Sequence, residues 1–243
     1  MSSAVGLLAR RLKKVLPLDE EEVTALIALE VQQRRVAART ELVQEGEINR
    51  RAFILVEGWA CSYKLVPDGG RQVIAVSIPG DFIGLRSLFL RTSDHTFATV
   101  TDVVVATVLW EQIEEIVRRL PRLAAAILWA TSRHEATMVE HLVNVGRRSA
   151  LVRTAHFLLE LRDRLMLVGR AQPTSFVCPL NQYLLADVLG LTAVHINRVL
   201  RHLREQRLAT FRDGVVHIHD VEGLRDLAGY QGGYLDQEDE GRS

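Results

Sequence analysis

The spacing of apolar positions changes along the chain, and each change marks a different kind of element. The first twenty-five or so residues mix short helical patterns that break at Pro17, and the texture changes after Val36. There it turns to short strands. Stretches 53–56, 59–66 and 71–78 are rich in aliphatic and aromatic residues, and 96–109 is dense in valine and threonine, predicting one or two strands more. Gly58, Pro67-Asp68-Gly69-Gly70 and Pro79-Gly80-Asp81 punctuate them as turns. Short strands cut this way predict a small sandwich or barrel, placed at 18–110. From Glu111 the period becomes helical, and Pro121 separates a short helix from a long one over 122–145. On the long helix Leu128, Met138, Leu142 and Val145 follow three-four spacing, with Thr131 and Glu135 in the polar slots. That stripe fits a dimer seam, and it fits equally a helix packed on its own barrel. Gly146 is placed as a bend or end.

A second unit begins near Arg147. Helices are expected over 151–166, 181–189 and 193–206, with a loop at 169–174 and a short strand starting at Val177 and limited by Pro179. Strand, Asp213-Gly214 turn and strand follow over 208–218. Asp220 caps a short helix ending near 227, and the acidic stretch 236–240 reads as a flexible tail.

Composition narrows the function classes. The 243 residues are 48% hydrophobic and 25% charged, which is globular composition. Thirty basic residues balance thirty acidic ones, so a wholly basic, charge-only nucleic-acid binder is excluded and a local basic face is not. Two cysteines, Cys61 and Cys178, cannot build a disulfide scaffold or a four-cysteine metal cluster. Cys61 is expected as a buried strand residue in preference to a redox switch. The basic start, with Arg10, Arg11, Lys13 and Lys14, reads as an amphipathic surface helix. No apolar run approaches the ~18 residues of a membrane span, so a cytoplasmic protein with no membrane partner is expected. No nucleophile elbow appears. His134-Glu135 opens like a zinc-hydrolase helix but continues Ala136-Thr137-Met138 without the second histidine. His217 and His219 alternate with Val216 and Ile218 and lack a third ligand. The expectation is therefore no enzyme, no catalytic residues and no metal.

The informative chemistry lies in 180–208. Leu184, Leu185 and Val188 serve a core, Gly190 makes a tight turn, and Thr192 caps a second helix whose apolar side is Ile196, Val199, Leu200 and Leu203. This is a helix-turn-helix, and the hairpin after it makes the winged form. In that motif the second helix enters the major groove of duplex DNA. Its outer side carries His195, Asn197, Arg198, Arg201, Arg204 and Arg207, with Glu205 the sole acid in 192–207. Arg198 and Asn197 are the base-reading candidates, since guanidinium pairs with guanine and amide with adenine. Arg201 is assigned to phosphate, and Thr192 and Arg212 to the flanking backbone. Ala193 and Val194 are placed against thymine methyls. The competing account, a solvated face with ordinary arginines, explains the charges but not the turn, the cap and their order.

On these residues the chain resembles the superfamily of the cyclic-AMP receptor protein and the fumarate-nitrate regulator (Crp/Fnr). The resemblance spans about 18–228. Its first part rests on Glu45-Gly46-Glu47, Phe53-Ile54-Leu55-Val56-Glu57-Gly58 and Pro79-Gly80-Asp81-Phe82-Ile83-Gly84. Its second rests on Leu180-Asn181-Gln182, the run Ala186-Asp187-Val188-Leu189-Gly190-Leu191-Thr192, and Ile196-Asn197-Arg198-Val199-Leu200-Arg201. It implies an α+β chain: an N-terminal cyclic-nucleotide-binding-like β jelly roll at 18–110, connecting and dimerisation helices at 111–146, a winged helix-turn-helix at 147–228 and a tail at 229–243. It also implies a bacterial transcription regulator that binds a near-palindromic promoter site as a homodimer. RNA polymerase and an unidentified small-molecule effector are the further partners it brings in.

Departures from the family pattern shape the rest. Leu85 stands where nucleotide-binding members carry a ribose-engaging glutamate. Asp94-His95-Thr96 stands where they carry an Arg-Ser pair for the cyclic phosphate. Leu85, His95 and Thr96 are thus the candidate effector pocket, with cyclic AMP not expected. An N-terminal cysteine group is missing, which argues against an iron-sulfur centre, and no histidine is marked as a haem ligand, so no cofactor is expected. Ala193 and Val194 stand where a glutamate is usual, implying a different operator sequence. The alternative function is a nucleotide- or small-ligand-binding sensory or scaffold protein whose helix-turn-helix is vestigial.

Overall fold

The computed structural model describes residues 6–13, 16–48, 50–67, 69–90 and 92–235. Asp68 of the expected 67–70 turn, Lys14 of the basic start and the acidic 236–240 stretch lie outside the described residues. The chain divides into two compact units, one of residues 1–65 and 75–134 and one of 66–74 and 135–243.

The first unit opens with α1 (Leu7–Lys13) and α2 (Glu20–Leu29). Helix α2 starts where Asp19 and Glu22 exchange backbone hydrogen bonds at 2.9 Å each, a reciprocal cap. Helix α1 is amphipathic, but it is more than a surface helix: Leu8, Ala9 and Leu12 are buried at 1% exposure or less. They pack with Leu26 and Leu29 of α2 and with Ile113, Ile116, Leu123 and Ile127. Strands β1 (Gln33–Val36), β2 (Glu41–Val43), β3 (Arg51–Glu57), β4 (Ala60–Leu65), β5 (Arg71–Ser77), β6 (Phe82–Ile83), β7 (Thr96–Thr99) and β8 (Val103–Leu109) form the jelly roll. One antiparallel sheet has the order β1-β8-β3-β6 and the other β2-β7-β4-β5. Val43, Phe53, Leu55, Ile83, Phe97 and Val105 form a buried cluster within it. The strand alternation legible in 96–109 is two strands, interrupted at 100–102. Strands β1, β2 and β6 escaped the pattern because they are four residues or fewer and mostly polar or turn-flanked.

Helix α3 (Trp110–Arg119) and the 27-residue α4 (Pro121–Arg147) follow. Gly146 does not end α4, which continues to Arg147; a glycine inside a helix costs only about 1 kcal/mol and does not by itself stop it. On α4 Leu128 and Leu142 are 65% and 74% exposed, and Val145 is also exposed.

The second unit is built on α5 (Ala150–Leu167), capped by Ser149. Strands β9 (Ala171–Gln172) and β10 (Ser175–Val177) lead into α6 (Gln182–Leu189) and α7 (Ala193–Glu205). Val177 ends its strand rather than starting one, because β10 pairs through Ser175–Val177 with β12 (Val215–Ile218). Strand β11 (Ala209–Arg212) completes a sheet of order β11-β12-β10-β9, and α8 (Val221–Ala228) closes the unit with Asp220 as its cap.

A candidate DNA interface and the barrel residues Leu85, His95 and Thr96

Helix α6 begins at Asn181, whose side chain accepts the Leu184 N–H at 2.9 Å. Leu184, Leu185 and Val188 are buried, as the spacing predicted. Gly190 then takes the left-handed conformation, φ +61°, and its N–H goes back to the Ala186 carbonyl. Thr192 accepts the His195 N–H at 3.2 Å and starts α7. The two helices meet at 95°, within the range of the helix-turn-helix motif.

The polarity of α7 is divided sharply. Ile196, Val199 and Leu203 are at most 5% exposed, so they hold the helix to the unit. Thr192, Val194, His195, Asn197, Arg198, Arg201 and Arg204 are exposed, and Ala193 is half-buried. Val194, an apolar side chain at the helix start, is 71% exposed. Arg207 supplies a left-handed cap residue, φ +57°, and the Leu208 N–H returns to the Leu203 carbonyl at 3.0 Å, turning the chain into β11.

A cleft of about 400 Å³ lies beside this face, lined by Gln182, Asn197, Arg201, Arg204, Thr210 and Arg212 among others. Three guanidinium-bearing residues on two elements thus border one concavity. The sequence reading missed Gln182, although it is the first helical residue after the Asn181 cap. Its Oε1 accepts from Asn197 Nδ2 at 2.8 Å, so the two amides act as one group. Arg212, at the tip of the wing, is exposed and within 3.3 Å of the Asp213 carboxylate. His217 is exposed between the buried Val216 and Ile218. His219 lies just past the strand and meets the Thr210 hydroxyl at 2.9 Å. Cys178 is buried, and burial pushes its thiol up to about 12, so it stays protonated. Cys61 is buried on β4.

The structure places the three candidate effector residues of the barrel in different surroundings. Leu85 is buried at the start of a single 3-10 turn, in the cluster formed with α1, α2 and α3. Thr96 is buried and accepts the Glu45 N–H at 3.1 Å. His95 is buried, lies 2.8 Å from Asp94 through Nδ1, and packs its ring 4.5 Å from that of Phe97. Burial pushes the His95 imidazole below its ordinary range, and the Asp94 carboxylate only partly opposes this. Asp94 also pairs with Arg86. Burial works against the Asp94 charge, but the Arg86 hydrogen bond, with the charges of His95 and Arg86, holds its carboxyl below the usual carboxylate range. Nearby, the buried Ser93 hydroxyl donates to the His95 carbonyl at 2.7 Å. Among the described residues no group of three or more His, Cys, Asp or Glu side chains is arranged to hold a metal ion. No single described helix is long and apolar enough to cross a membrane.

Comparison with known proteins agrees with both halves of this description. Residues 33–119 match the cyclic nucleotide-binding domain, and residues 152–227 match the Crp-like helix-turn-helix domain. The transcriptional activatory protein AadR of Rhodopseudomonas palustris is 30% identical over 215 residues, 87% of this chain and 86% of its own. The nitrogen fixation regulation protein FixK of Rhizobium meliloti is 30% identical over 190 residues, 77% of this chain and 82% of its own. The structure of FixK2 from Bradyrhizobium japonicum superposes with a TM-score of 0.74 at 26% identity, covering 82% of this chain and 98% of that one.

Proposed function

The chain belongs to the Crp/Fnr superfamily of transcription regulators, and we propose that it grips a near-palindromic promoter site as a homodimer through paired copies of α7. It is a DNA-binding regulator with a sensory N-terminal domain, and the family is not catalytic. The observation that carries the finer reading is the division of α7, an apolar side held in the core and an outer side with exposed Arg198, Arg201 and Arg204. Arg198 reads a guanine edge near the helix start. Arg201 and Arg212 hold phosphates on either side of the cleft, and the Thr192 end of the helix meets the backbone. Val194 and Ala193 face thymine methyls, and His195 lies beside them. Asn197 works with Gln182, because one of its two amide N–H donors is engaged there and the other stays available to a base. A homodimer sets the two helices about 34 Å apart, one turn of duplex, and the exposed Leu128, Leu142 and Val145 line its seam. Functionally the chain divides into sensing at 18–110, pairing at 111–146 and DNA binding at 147–228.

The effector enters the barrel, and cyclic AMP is not it: the Leu85 side chain cannot accept a ribose hydroxyl hydrogen bond, and the nearby Arg86 guanidinium is already paired with Asp94. No cofactor is assigned. AadR is named an activator, so activation through contact with RNA polymerase is the direction to test first. The experiment is selection of bound duplexes from a random library, followed by salt titration. One recovered palindromic consensus, with affinity falling steeply in salt as phosphate counterions are released, is the expected result. No enriched sequence at any salt concentration would overturn the reading and leave a sensory module with a vestigial helix-turn-helix.

A further inference from the structure

Glu160 sits in the middle of α5 with no exposed surface. A buried carboxylate is costly unless several donors reach it. Here they come from different parts of the second unit. His141 of α4 places Nε2 3.1 Å from both carboxylate oxygens. Tyr234, in the short turn after α8, donates its hydroxyl at 3.0 Å, and Arg164 lies at 3.4 Å. The other nitrogen of His141, Nδ1, faces the Ile74 carbonyl oxygen at 3.3 Å. Both ring nitrogens therefore face acceptors. Only the imidazolium, with an N–H on each nitrogen, satisfies both; a neutral ring leaves one acceptor facing a lone pair.

A second histidine nearby is held in the opposite state. Asn144 accepts from Arg148 through its Oδ1 at 2.8 Å, which leaves its Nδ2 as donor to His156 Nδ1 at 3.2 Å. His156 must therefore keep Nδ1 unprotonated, while its Nε2 lies 3.4 Å from Glu140. Its ring is packed against Tyr230 edge to face at 4.9 Å and stacked with Tyr234 at 6.2 Å. Arg148 also binds Glu140 at 2.9 Å, and Asp163 and Arg162 complete the charges around the tyrosines.

We propose that His141 and His156 form a two-proton latch, charged at one ring and neutral at the other, that fastens the Tyr230–Tyr234 segment and the 135–147 stretch of α4 onto α5. Through α5 the latch positions the helix-turn-helix, so DNA affinity follows its state; that second clause rests on the DNA-binding reading above. His141, Glu160 and Tyr234 are positioning residues that touch no DNA themselves.

The two limbs have opposite signs. Burial alone would lower the His141 pKa, but the Glu160 charge and hydrogen bond outweigh it and hold it above the ordinary value of 6.5. Its stabilisation is complete below 6.5 and is lost as pH rises through the raised value. Burial, then the charge of Arg148, lowers His156 to about 4. Its neutral ring favours the folded state above 6.5, and that preference is lost as pH falls towards about 4. Burial opposes the Glu160 charge, but His141 holds its pKa down at about 2, so the carboxylate stays ionised across both limbs.

The test is hydrogen exchange of the 230–235 amides in the full chain, corrected for intrinsic rates, from pH 5 to pH 9. The expected profile is a bell with its maximum near 6.5, and protection is lost between pH 7 and pH 9. His141→Gln should abolish the alkaline limb and His156→Gln the acid one, while Tyr234→Phe lowers protection at every pH without moving either limb. A flat wild-type profile, or an alkaline limb that survives in His141→Gln, overturns the latch. Nitrogen chemical shifts in the unaltered protein provide a check that needs no variant: at pH 7 His141 must carry two N–H protons and His156 one. Operator affinity measured over the same range should follow the bell. A bell in exchange with no operator binding at any pH defeats the DNA reading while the latch stands; operator affinity that stays flat across the bell defeats the coupling of latch to DNA.

Discussion

A single side chain decides much of the α7 chemistry. Thr192 satisfies one of the free N–H groups at the helix start through its 3.2 Å bond to His195. Thr192→Ala should cost about 1 kcal/mol of stability, read as a lower urea midpoint, and Thr192→Ser should restore most of it. Arg198 and Arg201 are both exposed one turn apart, but different roles are proposed for them. Arg198→Ala should weaken operator binding by about 1–3 kcal/mol and relax preference at one base position. Arg201→Ala should weaken all sequences alike and lower the slope of log affinity against log salt by about 1. Competition binding with single-base operator variants separates these outcomes. The same measurement on Val194→Glu should show a changed base preference, and an unchanged one would remove Val194 from the reading face.

At the scale of elements, chain direction depends on a few backbone positions. Gly58 joins β3 to β4 at φ +84°, and a Cβ there would lie 2.2 Å from the Asp102 carbonyl oxygen. Gly58→Ala must therefore shift backbone as well as strain φ, so the loss should exceed about 2 kcal/mol. Thermal unfolding measures it. Helix α4 shows the opposite case, a side-chain stripe with little role in the fold of one chain. Leu142 is 74% exposed, so Leu142→Glu should leave the circular dichroism of the protein unchanged. If the seam is as proposed, sedimentation should show monomers where the wild type gives dimers, and operator affinity should fall at least tenfold. A variant that stays dimeric would move the seam elsewhere on α4.

At the scale of the molecule, zero net charge hides a strong local asymmetry. Charge balance over the chain is compatible with the proposed DNA contacts, because phosphates would meet only the basic outer face of α7 and the wing, within about a Debye length. Long-range attraction is accordingly weak. Salt should act mainly on the dissociation rate of the specific complex, where direct contacts are broken, and stopped-flow association measured at two salt concentrations checks this. The family shares one architecture while its sensory chemistry varies with the side chains of the barrel. In this chain the positions proposed for it hold the buried Leu85, an Asp94 paired with Arg86 and His95, and the buried His95 itself.

The amino-acid sequence by itself determined the elements whose signals are local. Asn181, Gly190 and Thr192 cap and turn the helix-turn-helix through bonds within a few residues, and Ile196, Val199 and Leu203 repeat at the helical period, so α6, α7 and the wing were legible. The strands with two or more apolar inward positions were legible for the same reason. Short strands such as Gln33–Val36 were not, because their polar residues are held by pairing with Val103–Ala106, about seventy positions away. Nor did local pattern reveal that α1 enters the core, since a basic amphipathic helix looks the same on a surface or against a partner. Only the tertiary structure paired Gln182 with Asn197, and only it placed Glu160 under His141 and Tyr234. A glutamate in an amphipathic helix reads as a solvated charge until distant segments close over it. Burial, and the proton states it imposes, is a property of what folds back onto a residue, and spacing along the chain does not encode it.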